Sequence, residues 1–435
     1  ALLNALRNGS STILTHVASR SNLNMELATI KDLSLLPDPY LGEGIISHKL
    51  YYFETSRGCP YNCTYCLSSA SSGVRYVPLA LAKERLLILA TRAHIIKFVD
   101  RTFNANQKRA RELWQYLLDL PGNCRFHFEI CAHLLSEEDI IILSSPKAER
   151  FQFEIGLQTT SIEALSAINR PLGNEKVLQN VERLRQETPV ELHLDLISGL
   201  PHETYERFLQ TFDQALSVKP HRLHLGFLKL LRGTTLRAKA QEYEYKFLPF
   251  APYEVLASKW VTVQEFLLLK DIEDAVEKLY NSGSVQRTID YLLKNYPPSV
   301  VFTKAVSADR GDSTYHYAFN LAISLGADAN LVTELLRFDF LMREINRALP
   351  DWLMWDSSLG TEAEALRQII YGDKDELFRY LPHRAGEKPG SILRTIRLGY
   401  FPPQAIEELG YPPSVQTILF DHTLSDSRRA IACNQ

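Results

Sequence analysis

The strongest constraint on the fold is an alternation. Between residues 51 and 227, short apolar runs of strand length take turns with amphipathic stretches of helical period, the pattern of repeated βα units around a parallel sheet. Strands are expected at 50–55, 94–100, 125–131, 150–157, 191–198 and 222–228. Helix signals fill the intervals: Pro78 opens 79–92, Ser136 and Asp139 form a capping box ahead of 140–143, and 204–216 spaces its apolar residues helically. Six such units predict an α/β chain with a partial or complete (β/α)6 barrel. Its strand-to-helix loops would open on one face, where sites on such folds are built.

Beyond Pro220 the pattern changes. Residues 254–280 hold almost no turn residues before Asn281-Ser282-Gly283 and read as one long helix. Stretches 286–295, 314–325 and 331–349 continue as helices, broken by Pro297-Pro298 and Pro350. The expected organisation is an N-terminal segment or linker (1–47), a βα barrel (48–237) and a mainly helical C-terminal domain (238–435). A length of 435 residues suits one large catalytic domain with appendages. There is no internal repeat, and 68–73 is only a short flexible patch.

Chemistry concentrates in Arg57-Gly58-Cys59-Pro60-Tyr61-Asn62-Cys63-Thr64-Tyr65-Cys66, directly after the first strand. Three thiols at spacings of four and three can wrap one compact metal centre. Thiolates are the ligands of iron-sulfur clusters, and four irons on three cysteines leave one iron with a vacant, reactive position. Two alternatives stand beside this one: a zinc site completed by a histidine such as His48, and ordinary buried thiols. Zinc sites usually pair two Cys-x-x-Cys knuckles, and no second knuckle exists here. Cys124, Cys131 and Cys433 are isolated and read as core or surface thiols.

The 48 basic and 51 acidic side chains leave a formal charge of -3, so the overall balance argues for neither a nucleic-acid nor an anionic-membrane partner. No apolar run approaches the roughly 20 residues of a membrane span, residues 1–6 are too short for a signal peptide, and six cysteines do not make an extracellular disulfide framework. A cytoplasmic protein acting on a small or neutral substrate is expected. The first residue, Ala rather than Met, reads as a processed, trimmed or incompletely represented N-terminus.

The loop Cys-x-x-x-Cys-x-aromatic-Cys after the first strand of a βα barrel resembles the signature of the radical S-adenosylmethionine (SAM) superfamily, with Tyr65 at the aromatic position. The resemblance implies a 4Fe–4S cluster on Cys59, Cys63 and Cys66, with SAM on the open iron. It also implies an electron donor such as flavodoxin or ferredoxin, and a 5'-deoxyadenosyl radical that takes hydrogen from a small-molecule or peptide substrate. By the same resemblance Asp100, after the second strand, falls where the SAM amino group is held, although the family's Gly-Gly-Glu form is absent. Glu154 and Gln158 resemble the fourth-strand contacts to ribose and methionine, and Arg170 the partner of the SAM carboxylate. Asp195 and Ile197, in the segment running to Gly199-Leu200-Pro201-His202-Glu203, resemble the fifth-strand contacts near adenine. Each residue also has a structural reading as a cap, a buried partner or a turn. The catalytic residue that acts on substrate is not identified.

Phe98 to Asn104, Leu228 to Thr235, Pro252-Tyr253 and the helical tail are similar to radical SAM proteins that often carry an N-terminal cobalamin domain and end in a helical domain of unassigned function. Cobalamin is therefore allowed by the resemblance, but the Asp-x-His-x-x-Gly loop it requires is not in these residues. Leu35-Leu36-Pro37-Asp38-Pro39-Tyr40 resembles the linker that follows such a domain. Gly199 to Glu203 also suggest an oxygen-independent porphyrin-pathway enzyme, and a non-catalytic cluster or heme chaperone is the third reading. The helical tail is expected to cover the loop face of the barrel. His193, His202 and His224 fall near strand ends and are read as satisfied core or surface residues.

Overall fold

The computed structural model describes residues 30–40, 46–70, 73–171, 173–354 and 368–433. Residues 1–6, most of the expected segment 1–47, and Ser71 and Ser72 of the flexible patch lie outside them.

The first strand, β1 (Leu50–Phe53), leads into an antiparallel hairpin of β2 (Ser56–Gly58) and β3 (Val74–Tyr76). The strands β4 (Ile95–Phe98), β5 (Arg125–Ile130), β6 (Phe151–Gln158), β7 (Glu191–Ser198) and β8 (Arg222–Phe227) follow, each after at least one helix. They form one sheet in the order β1-β4-β5-β6-β7-β8, every neighbouring pair parallel. Among the described residues β1 does not pair with β8, so the sheet is a partial (β/α)6 barrel. All six expected strands are present.

Strand geometry sends alternate side chains to opposite faces, and the sequence uses this fully. In β6, Phe151, Phe153, Ile155 and Leu157 are buried beneath the helices, while Gln152, Glu154, Gly156 and Gln158 face the half-open interior. Phe98, Phe103, Trp114, Phe126, Phe128 and Phe151 join Phe153 in an aromatic layer between sheet and helices; the Phe98 and Phe128 rings stack at 4.7 Å. The interior face instead carries Lys97, His127, Glu154, His193, Asp195 and His224, tied together by ion pairs.

The chain beyond β8 is mainly helical, with departures from the expected boundaries. Residues 254–280 are not one helix: β9 (Lys246–Phe247) pairs with β10 (Val255–Ala257), and the helix starts only at Val263. Its start is set by a capping box, in which Thr262 and Glu265 satisfy each other's backbone N–H groups. Pro298 opens the helix Pro298–Ser307 instead of breaking one, because proline suits the first helical turn. The strands β11 (Ile396–Tyr400), β12 (Thr417–Asp421) and β13 (Ala430–Cys433) make an antiparallel sheet that the sequence pattern did not announce. It packs through Phe401 and Phe420 onto Phe338 of the helix Ala329–Arg343.

The helical region covers the outer edge of the barrel sheet. Leu269, Ile272, Ala275 and Val276 share one core with Leu223 and Leu225. The helix runs into a π turn, Glu277–Asn281, whose last side chain acts as a substitute strand. Asn281 Oδ1 accepts from the Leu223 N–H at 2.9 Å, and its Nδ2 donates to the Leu223 carbonyl at 2.8 Å. An edge strand left open presents unpaired backbone groups, and this one residue satisfies two of them in a buried setting. Replacing Asn281 by Ala should destabilise the protein by about 1–3 kcal/mol, read as a lower urea midpoint with an unchanged slope.

Candidate functional site

The cysteine loop lies between β2 and β3 and is held at four points. At its base Gly58 adopts φ +105°, and a Cβ there would stand 2.2 Å from the Gly73 carbonyl oxygen, so only glycine closes the hairpin. At its tip Thr64 is stapled from both sides: its N–H donates to the Ile168 carbonyl and its carbonyl accepts from the Leu236 N–H, each at 2.9 Å. Asn169 Nδ2 donates to the Asn62 carbonyl at 3.1 Å. Before the loop, Asp100 at the end of β4 accepts from the Thr55 N–H at 2.8 Å, the Thr55 hydroxyl at 2.5 Å and the Ser56 hydroxyl at 2.6 Å.

These restraints place Cys59, Cys63 and Cys66 on one wall of a cavity of about 580 Å³ at the C-terminal ends of the strands. Tyr65 and Arg170 stand beside them. Glu154, Gly156 and Gln158 of β6, Asp195 and Ile197 of β7, and Phe227 with Leu228 after β8 make the floor and the far wall. Arg101 and Lys229 also line it. Arg170 donates to the Gly156 carbonyl and approaches Cys63 Sγ at 3.8 Å; among the described residues it has no carboxylate partner. Gln158 sits at φ +70°, where β6 and β7 slip register, and its Oε1 is buried with no partner.

The carboxylates of the floor differ in environment. Glu154 has His127 Nε2 at 2.8 Å and accepts from Lys97 Nζ at 3.4 Å, and these neighbours push its pKa down to about 2, so it stays ionised. Burial pushes Asp195 up, opposed by His224 Nδ1 at 3.1 Å. Glu129, also raised by burial, has Arg101 at 3.9 Å.

Residues 53–215 match the radical SAM superfamily, and residues 241–420 match a family described as proteins of unknown function (DUF4080). Residues 53–215 form a radical SAM domain. The chain is 26% identical over 180 residues to tRNA-2-methylthio-N(6)-dimethylallyladenosine synthase of Rickettsia canadensis, covering 39% of this chain and 40% of that protein. It thus spans about two fifths of that relative's length. Among solved structures it is similar to the radical SAM methyltransferase TsrM of Kitasatospora setae (19% identity, TM-score 0.40, covering 45% of this chain and 39% of that one). It is also similar to the cobalamin-dependent SAM radical enzyme OxsB (12% identity, TM-score 0.43, covering 77% and 57%).

A radical SAM domain uses a 4Fe–4S cluster and SAM, and the donor set here fits both. Three free thiols face one cavity. His48, the candidate fourth zinc ligand, precedes β1 at the end of the strand opposite the cysteine loop. The orphaned Gln158 Oε1, together with Arg170, which has no carboxylate partner among the described residues, supplies polar groups of the kind that a zwitterionic ligand such as SAM requires.

Of the site residues expected from sequence, Cys59, Cys63, Cys66, Tyr65, Glu154, Gln158, Arg170, Asp195 and Ile197 all line this one cavity. Asp100 does not. Its carboxylate is fully buried and turned onto Thr55 and Ser56, beneath the loop. Among the described residues the helical tail does not line the cavity either: the lining ends at Leu231. Gly199 to Glu203 turn away. Leu200 packs with Phe266 and Tyr245, and buried Glu203 accepts from the Thr159 and Thr211 hydroxyls. His193 and His224 belong to the polar interior of the barrel, and exposed His202 stacks near Trp260.

The sequence reading missed Cys131, which lines the cavity and lies 3.2 Å from His133 Nδ1; His133 Nε2 in turn meets the Tyr61 hydroxyl at 3.1 Å. It also missed Glu129, Arg101, Thr102 and Lys229. Their position at strand ends, the rule applied to Asp195, could have found them.

Burial moves Asp100 up to about 6. A raised carboxyl pKa means that the protonated form is favoured by folding, so its contribution is complete below the ordinary value of 3.8 and is lost as pH rises through 6. The stability advantage of wild type over Asp100→Asn should therefore shrink by on the order of 2–3 kcal/mol between pH 4 and 6.5, followed by urea titration at each pH. A constant difference would show that Asp100 does not titrate there.

Proposed function

We propose that this chain is a radical SAM enzyme that cleaves SAM reductively and directs the resulting 5'-deoxyadenosyl radical at a small-molecule or peptide substrate. The observation that carries the reading is the convergence of Cys59, Cys63 and Cys66 with the polar ends of β6 and β7 on one cavity. A 4Fe–4S cluster on the three thiols would offer its open iron to the amino and carboxylate groups of SAM and supply the electron that breaks SAM into methionine and the radical.

The chain's own residues bind and orient. Arg170, a cation without a carboxylate partner, suits the SAM carboxylate; Glu154, held ionised by His127 and Lys97, suits ribose hydroxyls or an ammonium. Gln158, with one amide oxygen unsatisfied, suits a donor on the methionine portion, and Tyr65 packs beside Arg170. Asp195 and Ile197 frame the adenine end. Phe227 and Leu228 form an apolar wall that keeps water from the radical.

Lining charges that balance, with Arg101, Arg170 and Lys229 against Glu129, Glu154 and Asp195, support a small molecule or peptide over a nucleic acid. The electron would come from a carrier of the flavodoxin or ferredoxin class, in the reducing cytoplasm that an exposed cluster needs. No helix among the described residues is long and apolar enough to cross a membrane.

Anaerobic reconstitution of wild type and of a Cys59→Ala, Cys63→Ala, Cys66→Ala triple variant tests the proposal. Wild type should take up about four irons and release 5'-deoxyadenosine from SAM under dithionite, and the variant should do neither. Zinc in place of iron, or equal iron in the variant, would overturn it.

A further inference from the structure

Each of the three thiols has a polar neighbour within hydrogen-bond reach, and the three neighbours differ in kind. The Ser68 N–H donates to Cys66 Sγ at 3.4 Å from within the loop. The Arg170 guanidinium reaches Cys63 Sγ at 3.8 Å from the segment after β6. The Thr102 hydroxyl lies 3.6 Å from Cys59 Sγ and comes from the turn after β4. Ser68 is part of the loop whatever the loop does, and Arg170 faces the cavity. Thr102 borders the cavity as well, but its hydroxyl has a single proton and two acceptors within reach, the Arg101 carbonyl and Cys59 Sγ.

Thr102 is 6% exposed, so its hydroxyl has little access to water and must find partners in the protein. The partner it has is the carbonyl of the preceding residue, Arg101, at 2.8 Å. That carbonyl is a neutral acceptor. A thiolate at Cys59 would be a charged one, and charge-assisted hydrogen bonds are about twice as strong as neutral ones. Rotation about a single C–O bond is enough to move the proton from the Arg101 carbonyl towards the Cys59 sulfur.

We propose, resting on the cluster reading above, that Thr102 is a positioning residue for the cluster's electronics: its hydroxyl donates to Cys59 Sγ and raises the reduction potential. Reduction adds one electron and hence negative charge on the sulfur ligands, so a donor to sulfur stabilises the reduced form more than the oxidised form. The hydroxyl neither ligates iron nor enters the cavity chemistry. Thr102 lies directly after Asp100 and Arg101, so the buried Asp100 clamp that sets the loop also sets the distance from Thr102 to Cys59.

The test is the midpoint potential of the reconstituted cluster in the absence of SAM, followed by its visible absorbance during a redox titration. Thr102→Val and Thr102→Ala both remove the hydroxyl, the first at nearly constant shape, and Thr102→Ser restores it. Val and Ala should shift the midpoint to more negative values at an iron content equal to wild type, and Ser should return it towards wild type. A hydroxyl that serves only the Arg101 carbonyl would change stability and leave the potential unmoved, which would overturn the proposal. So would equal shifts in Val and Ser. Failure of wild type to take up iron would overturn the cluster reading and this inference with it, whereas a normal cluster with an unmoved potential would overturn the inference alone.

Discussion

The buried carboxylate of Asp100 is the contact on which the geometry of the site depends. It closes the distance between the end of β4 and the chain leaving β1, using three donors supplied by Thr55 and Ser56. The hairpin that carries the thiols begins at that point, so its direction is set before the first cysteine. The Thr64 staple then sets its tip from two remote segments, Ile168 and Leu236. A loop held at both base and tip can present three sulfurs to one cavity without a regular element of its own. Preorganisation of this kind lets a site bind without first ordering its ligands.

The barrel sheet solves a second problem by the same economy of position. One face of each strand contributes to an aromatic core, and the other builds an interior of charges. Buried charges are tolerated only when paired, and here the pairs run across neighbouring strands: His127 with Glu154, His193 with Glu191, His224 with Asp195. The pairings fall on one oxygen of Glu154 and one of Asp195, both of which line the cavity, whereas Glu191 is held at both oxygens by His193 and Arg125. The interior is thus both a satisfied core and the floor of a binding site. The helical region beyond β8 supports the wall from outside, with Lys270 over the Phe227 ring at 4.0 Å and Asn281 sealing the sheet edge.

Much of this was legible in the chain. Period-two alternation in stretches such as Phe151 to Gln158 names both the strand and its two faces, and the cysteine spacing names the donor set. The polar residues at the ends of β6 and β7 were picked out by their resemblance to radical SAM motifs, and their position at strand ends, where sites on such barrels are built, agreed with it. Asp100 follows the same pattern, but its side chain turns back beneath the loop, and a strand-end pattern does not distinguish that from turning towards the cavity. The choice rests on Thr55 and Ser56, which lie 45 and 44 residues away. Cys131 was read as isolated for the same reason: its neighbours Tyr61 and the other thiols are far from it along the chain. The long helix expected over 254–280 failed locally, where β10 and the Thr262 capping box shortened it.

Local regularity and covalent spacing belong to the chain itself: which stretches are strands, which face is apolar, and that three thiols share one loop. These follow from side-chain periodicity and from neighbours within a few residues, so no knowledge of the packed form is needed. Where the thiols point, which carboxylate reaches the cavity and which lies beneath the loop, and which polar groups stand beside the Cys59 and Cys63 sulfurs were settled only by packing. Those outcomes depend on contacts across 40 to 110 residues, between groups whose competing partners differ in energy by no more than a hydrogen bond or two.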